Sequence, residues 1–217
     1  LRQINKGALT IEQCRQLSVI NGFGNLIQVK NIILNRLNIT HADFLSNLFK
    51  RQPEFKGYIK ITSCKLTQIH CLSHLKSVAS SLYLHNNQLT NLQGLENLIS
   101  VGASLSLSSN NLSDISQLQH LISISGMLGL AYNNLTSLKG LKNINTLKTV
   151  RWGEQIRTLV INNNPKLTDI SALSNIMTDD RYLIIYLDNY TQYTHKPDSC
   201  SDFHKNILEI HDVVQNK

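Results

Sequence analysis

Apolar residues recur along this chain in one template, L-x-L-x-x-N-x-L-x-x-L-x-x-L-x-x-L-x-x-V, with copies starting at Leu9, Ile32, Ile59, Leu82, Leu105, Leu128, Leu159 and Leu183. Successive starts lie 23, 27, 23, 23, 23, 31 and 24 residues apart. Self-similarity at such a period predicts a stack of about eight coils, each burying its apolar face on its neighbours. Within one copy, Leu82-Tyr83-Leu84 alternates as a short strand with one face buried, and Asn87 falls where the chain must turn. Leu89, Leu92, Leu95, Leu98 and Val101 then recur every third residue, too tight for a 3.6-residue helix and suited to an extended or 3₁₀-like return. The pattern therefore predicts a curved parallel sheet on the concave side and a mostly irregular or 3₁₀ convex side.

Asn87, Asn110, Asn133 and Asn164 share the turn position, where an inward amide can bond the backbone of its own and the adjacent coil. Cys14 and Cys64 stand there in the first and third copies and are expected to be buried thiols, with a weak donor in place of the amide. In the second copy Leu37 takes the position, and the longer return from Ala42 to Arg51, free of Gly and containing no Pro, predicts a helical turn or more. Copies one and seven carry one extra residue after the turn, in Cys14-Arg15-Gln16-Leu17 and Asn164-Pro165-Lys166-Leu167.

From residue 9 to about 190 the chain resembles the leucine-rich repeat superfamily. Gly7-x-Leu9-x-Ile11-x-x-Cys14-x-x-Leu17 and Asn162-Asn163-Asn164-Pro165-x-Leu167 resemble receptor L domains, the ligand-binding repeats of insulin- and growth-factor-type receptors. Leu167-Thr168-Asp169-Ile170-Ser171-Ala172-Leu173 is similar to repeats of internalin-type bacterial adhesins. The resemblance implies an α/β leucine-rich repeat solenoid that recognises a protein or other ligand through its concave strands. It transfers no individual binding residue.

The organisation expected is one solenoid over residues 1–194 and a tail or cap over 195–217. No run of 18 apolar residues predicts a membrane-spanning helix, and Leu1–Lys6 leads into the first copy without the pattern of a signal peptide. Cys14 and Cys64, two coils apart, are too distant for a disulfide. Cys71 and Cys200, read as convex and tail thiols, have no cysteine-rich cap around them. The sequons at Asn38, Asn111, Asn134 and Asn189 arise readily from the repeat itself. The compartment stays open between secreted or cell-surface and cytosolic.

A net charge of +7 raises nucleic-acid binding, but no Lys or Arg occurs from Ser77 to Leu138. Phosphate tracking needs a continuous basic stripe, so nucleic acid is not an expected partner. His70, Cys71 and His74, and more loosely His195, Cys200 and His204, have metal-ligand spacing. Because Ile69, Leu72 and Leu75 take the core positions, the first set is expected to point outward with no fourth ligand. Neither a phosphate loop nor a nucleophile elbow is present. No cofactor and no catalysis are expected.

The concave face follows from the template. Its central row reads Ile33, Lys60, Tyr83, Ser106, Gly129, Val160 and Ile184, and the next row Asn35, Thr62, His85, Ser108, Ala131, Asn162 and Tyr186. Small residues in the fifth and sixth coils make a shallow trough. Met127, Tyr132, Val160, Tyr182, Ile184 and Tyr186 gather apolar and aromatic surface toward the C-terminal end, where such a patch signals a partner. Arg151 and Trp152, in the insertion before the seventh copy, are a second contact candidate. The function expected is a non-catalytic module binding a protein, or alternatively a glycan, through Tyr83, His85, Tyr132, Val160, Tyr182, Ile184, Tyr186, Arg151 and Trp152. The alternative is a structural or targeting appendage of a larger enzyme or bacterial effector.

Overall fold

The computed structural model describes residues 3–147, 150–152, 155–157, 159–175, 177–178, 184–187 and 209–212, with side chains described over 7–147 and 159–174. The first strands of the eight copies, and one strand beyond them, form one parallel nine-stranded sheet in chain order: Gln3–Glu12, Gln28–Asn35, Ile59–Thr62, Leu82–Tyr83, Leu105–Ser106, Leu128–Gly129, Leu159–Val160, Ile184–Leu187 and Glu209–Asp212. The register follows the template, with Leu9 opposite Ile32, Ile32 opposite Ile59, and so on to Leu128 opposite Leu159. This is a leucine-rich repeat solenoid, as the periodicity predicts.

The eighth coil departs from the expected register. Ile185, not Leu183, pairs with Leu159, so Tyr186 rather than Ile184 lies beside Val160. In the sequence Leu183, Ile185 and Leu187 are spaced two apart, so a register slip of two residues preserves the template's alternation. The template could not choose between them. Glu209–Asp212, inside the segment read as a tail, adds the ninth strand beside Ile184–Leu187.

On the return path a second parallel sheet forms from two-residue strands, Glu54–Phe55, Ser77–Val78, Ser100–Val101, Ser123–Ile124, Thr146–Leu147 and Met177–Thr178. Between the two sheets run the 3₁₀ segments Asp43–Leu45, His70–Leu72, Ser116–His120, Lys139–Leu141 and Ser171–Asn175. The helix Ser46–Arg51 occupies the long second return, where the absence of Gly predicts it. Leucines and isoleucines at template positions form a single core, nearly all without exposure. Each such side chain withdrawn from water contributes about 1.5–3 kcal/mol.

The asparagine position forms the expected ladder, and its hydrogen bonds bind coil to coil. The Asn87 amide donates to Leu84 O at 2.9 Å in its own coil and to Ile61 O at 2.8 Å in the preceding one. Its oxygen accepts from Cys64 N at 3.2 Å and from Leu66 N at 3.4 Å. Asn110, Asn133 and Asn164 repeat the two donated bonds, and their oxygens accept from Leu89, Leu112 and Leu135 N, the counterparts of Leu66 N. The residue just before this position is left-handed in seven coils: Gln13, Arg36, Ser63, Asn86, Ser109, Tyr132 and Asn163, with φ between 53° and 62°.

Two thiol expectations need correction. Cys64 is buried and donates weakly to Thr62 O at 3.4 Å and Leu34 O at 3.8 Å, but Cys14 is exposed. Coil 1 is the edge of the described stack, so its ladder position is covered from one side only. Cys71, expected on the outer surface, is 2 % exposed. A stacked coil has flanks as well as an inside and an outside, and Cys71 lies on the flank. It occupies the corner that Gly94 and Gly140 hold in later coils, where one coil presses on the carbonyls of the coil before it. Burial first, and then the nearby Asp43 carboxylate, push its thiol up to about 12. Native alkylation is accordingly expected to label Cys14 and to spare Cys64 and Cys71, because a thiol held protonated and sealed from solvent is no nucleophile. Peptide mass spectrometry after brief iodoacetamide treatment reads the result. Rapid labelling of Cys71 would show that this corner does not stack as described.

Candidate functional site

Parallel pairing places Lys60, Tyr83, Ser106, Gly129 and Val160 side by side along the middle of the concave face. Two residues further on, the next row is Thr62, His85, Ser108, Ala131 and Asn162. Both rows point off the core, as alternation requires, yet several members are covered. Ser106 is 7 % exposed, Thr62 1 %, Ala131 4 % and Asn162 9 %. Curvature brings neighbouring strands' outward side chains together, so small residues on this face are screened by larger neighbours. The expectation that Ser106 lies open to solvent is therefore corrected.

The floor of the trough is made by Ser106, Ser108, Gly129 and Ala131. A Cβ on Gly129 would sit 3.0 Å from Ser108 Oγ, so this floor has little space for a side chain of its own. Larger groups flank it along the stacking direction. On the N-terminal side are Tyr83 and His85, both half-buried, with ring centroids 6.1 Å apart and planes nearly perpendicular. On the C-terminal side are half-buried Val160 and Tyr132, which is 58 % exposed.

Tyr132 is an unusual residue for its backbone. Its φ of 56° belongs to the left-handed column, where the Cβ of an L residue meets its own carbonyl oxygen and where Asn and Gly are the tolerated types. Asn86 and Asn163 fill the same position in other coils. A bulky aromatic held there stays more exposed than covered, at 58 % of the residue's surface. Its sequence signal is simply the one aromatic in a column otherwise made of Gln, Arg, Ser and Asn.

His85 binds a proton less readily than a free imidazole. Burial, and then the positive charge of Lys60 on the adjacent strand, lower its affinity for a proton. Its Nδ1 is buried without a hydrogen-bond partner among the described residues. Lys60 is half-buried, and neither it nor Arg36 makes an ion pair among the described residues.

The structure thus brings together four of the residues singled out from sequence, Tyr83, His85, Tyr132 and Val160, on one face. Ile184 and Tyr186 lie on the eighth strand, and Arg151 and Trp152 on a short antiparallel hairpin of Val150–Trp152 with Gln155–Arg157. Their side chains, and Tyr182 altogether, lie outside the described residues. Sequence reasoning missed the pairing of Lys60 with His85, because they are 25 residues apart and meet only diagonally across strands.

On the convex side, His70 and His74 are exposed while Cys71 is buried, so those three do not converge. Among the described residues no three His, Cys, Asp or Glu side chains gather as a metal-holding group. His195, Cys200 and His204 lie outside them. Asp169 accepts from Ser171 Oγ at 2.7 Å, Ser171 N at 3.1 Å and Ser137 Oγ at 3.1 Å, with Lys139 Nζ at 3.5 Å. Burial alone would raise its proton affinity, but the Ser171 and Ser137 bonds and the Lys139 charge outweigh it and lower the carboxyl below its usual range. This carboxylate pins the start of a 3₁₀ turn and stands away from the trough. No described helix is long and apolar enough to cross a membrane.

No family model matches the chain, and no curated protein sequence does. Among solved structures, it is similar to an internalin (InlF) from Listeria monocytogenes str. 4b F2365, at 20% sequence identity and a TM-score of 0.41, over 94% of this chain and 67% of that one.

Proposed function

We propose that this chain is a non-catalytic recognition module that binds a protein partner through the concave face, with the C-terminal half of the trough supplying the aromatic contacts. The observation that carries the reading is Tyr132, an aromatic residue kept 58 % exposed on a left-handed backbone. A strained residue that stays more exposed than covered points to a role outside the fold. A rigid tyrosine with two rotatable side-chain bonds is also the type of residue in which interface energy concentrates. The Ser106–Gly129 floor beside it leaves room for a partner's side chain, and Val160 extends the apolar rim. Tyr182, Ile184 and Tyr186 belong to the same proposed patch, since Tyr186 follows Val160 in the sheet register. The insertion residues Arg151 and Trp152 are its proposed neighbours.

The test separates folding from binding. The protein, immobilised through its exposed Cys14, is used to isolate a binding protein whose affinity is then measured for variants. Tyr132→Asn is expected to leave the thermal midpoint unchanged or slightly higher, because Asn accepts the left-handed backbone. The same change should weaken the partner by about 2 kcal/mol, as loss of an interface aromatic does. Lys76→Ala, exposed on the convex side, should leave affinity within about 0.5 kcal/mol, as surface substitutions away from an interface do. Equal affinity of wild type and Tyr132→Asn for every protein isolated would remove the concave reading.

A further inference from the structure

We infer that the concave face carries an acidic-residue subsite on its third and fourth coils, where Lys60 and His85 together receive a carboxylate of the partner protein. The inference rests on the proposed recognition function and names the chemistry of one part of that surface.

Three observations support it. First, the charge on the central strands of the face is one-sided. The described concave positions of the second to seventh strands hold no Asp or Glu, while Arg36 and Lys60 hold positive charge; Glu12 lies on the first strand and Glu209 and Asp212 on the ninth. The other described acids, Asp43, Glu54, Glu96, Asp114 and Asp169, stand on the return path. Second, Lys60 is a half-buried residue whose side chain makes no ion pair among the described residues. Partial burial costs solvation that a counter-charge would restore, and within the trough the screening of such a pair by salt is weaker than on open surface. A carboxylate is the protein group that supplies it.

Third, the geometry of His85 provides a directed donor beside that charge. Its Nδ1 is sealed and unpartnered, and a hydrogen there would be a buried donor with nothing to receive it, which costs more than an idle acceptor. With Nδ1 as the idle acceptor, the ring hydrogen sits on Nε2, on a side chain that is half-buried in the trough. The groups packed around the ring contribute no competing acid. Lys60 and Thr62 come from the preceding strand, Tyr83 from its own, and Ser106 and Ser108 from the following coil. A carboxylate has two oxygens, one for the Lys60 ammonium and one for His85 Nε2–H. The Tyr83 ring, edge-on to His85, walls the subsite toward the Ser106 floor.

The probe is a fluorescein-labelled hexaglutamate peptide, with hexaserine and hexalysine as controls, titrated by fluorescence anisotropy at low ionic strength. Hexaglutamate alone should bind, and Lys60→Met should weaken it by about fivefold or more, as loss of a charge partner in a trough where salt screens it less does. His85→Phe should weaken it by about threefold and His85→Gln should restore it to within about twofold, since the Gln amide replaces the Nε2 donor. Lys76→Met, a convex loss of the same charge, should change little, and circular dichroism melts confirm that each variant is folded. Should Lys60→Met destabilise the protein, Lys60→Arg keeps the charge and should retain binding. Hexaglutamate affinity equal in wild type and Lys60→Met, or no binding of hexaglutamate, overturns the subsite. A partner that is lost in Tyr132→Asn but indifferent to Lys60→Met would leave the recognition function standing and remove this inference alone.

Discussion

Replacing Asn110 with alanine is expected to destabilise the protein by about 3 kcal/mol, since a buried polar group left unpaired costs about 1–3 kcal/mol and several are orphaned at once. The amide of Asn110, 7 % exposed, donates to Leu84 O at 3.1 Å and Leu107 O at 3.0 Å, and its oxygen accepts from Leu89 N at 3.1 Å. Alanine removes all three bonds, and the dry interior that it leaves offers no water in exchange. Asn111 is the matched control, adjacent in sequence, identical in chemistry and exposed. Its backbone N–H bonds Leu89 O at 2.8 Å whatever the side chain, so Asn111→Ala should stay within about 0.5 kcal/mol of wild type. Urea unfolding of the two variants reads the difference. Equal losses would mean that the ladder register is misassigned.

Gly140→Ala is the second large effect, and its cause is steric. Gly140 lies in the 3₁₀ segment Lys139–Leu141, at the corner where the sixth coil meets the fifth. A Cβ there would overlap the Ile115 carbonyl oxygen and sit 2.6 Å from the Ile115 carbonyl carbon. Both atoms are backbone of the neighbouring coil, so relief requires the coils to part, disturbing every interstrand bond they share. The cost should reach about 3 kcal/mol or more, the upper end for overpacking, which lowers the thermal midpoint of a chain this size by about 6–12 °C. Gly24→Ala is the opposite case, with nothing within 4 Å of the added carbon. It should be neutral or stabilising by about 0.4–1 kcal/mol through the unfolded chain. A Gly140→Ala variant as stable as wild type would show that the convex corners are not in contact.

Both effects bear on recognition, because the trough's geometry is set by coil spacing. Tyr83, Ser106, Gly129 and Val160 occupy four successive strands, and any parting of the fifth and sixth coils widens the floor between the aromatic side groups. Loss of partner affinity in Gly140→Ala would thus report altered spacing, whereas loss in Tyr132→Asn reports the contact itself.

The stack of coils, the register of the first seven strands and the asparagine ladder were legible in the amino-acid sequence. Each depends on one-dimensional spacing: an inward leucine every second residue in the strand, every third in the return, and an amide at the turn. The same spacing made Tyr83, His85, Tyr132 and Val160 readable as members of one outward face. Tertiary structure alone decided what lay between coils. It buried Cys71 on a flank, exposed Cys14 at the edge of the stack, covered Ser106 through curvature and moved the eighth strand by two residues. It also set Lys60 diagonally beside His85 and held Tyr132 in a left-handed turn. The physical reason is that a repeat template distinguishes inside from outside within one coil, whereas flank contacts, curvature and cross-strand diagonals depend on the neighbouring coil, some 23 or more residues away in the chain.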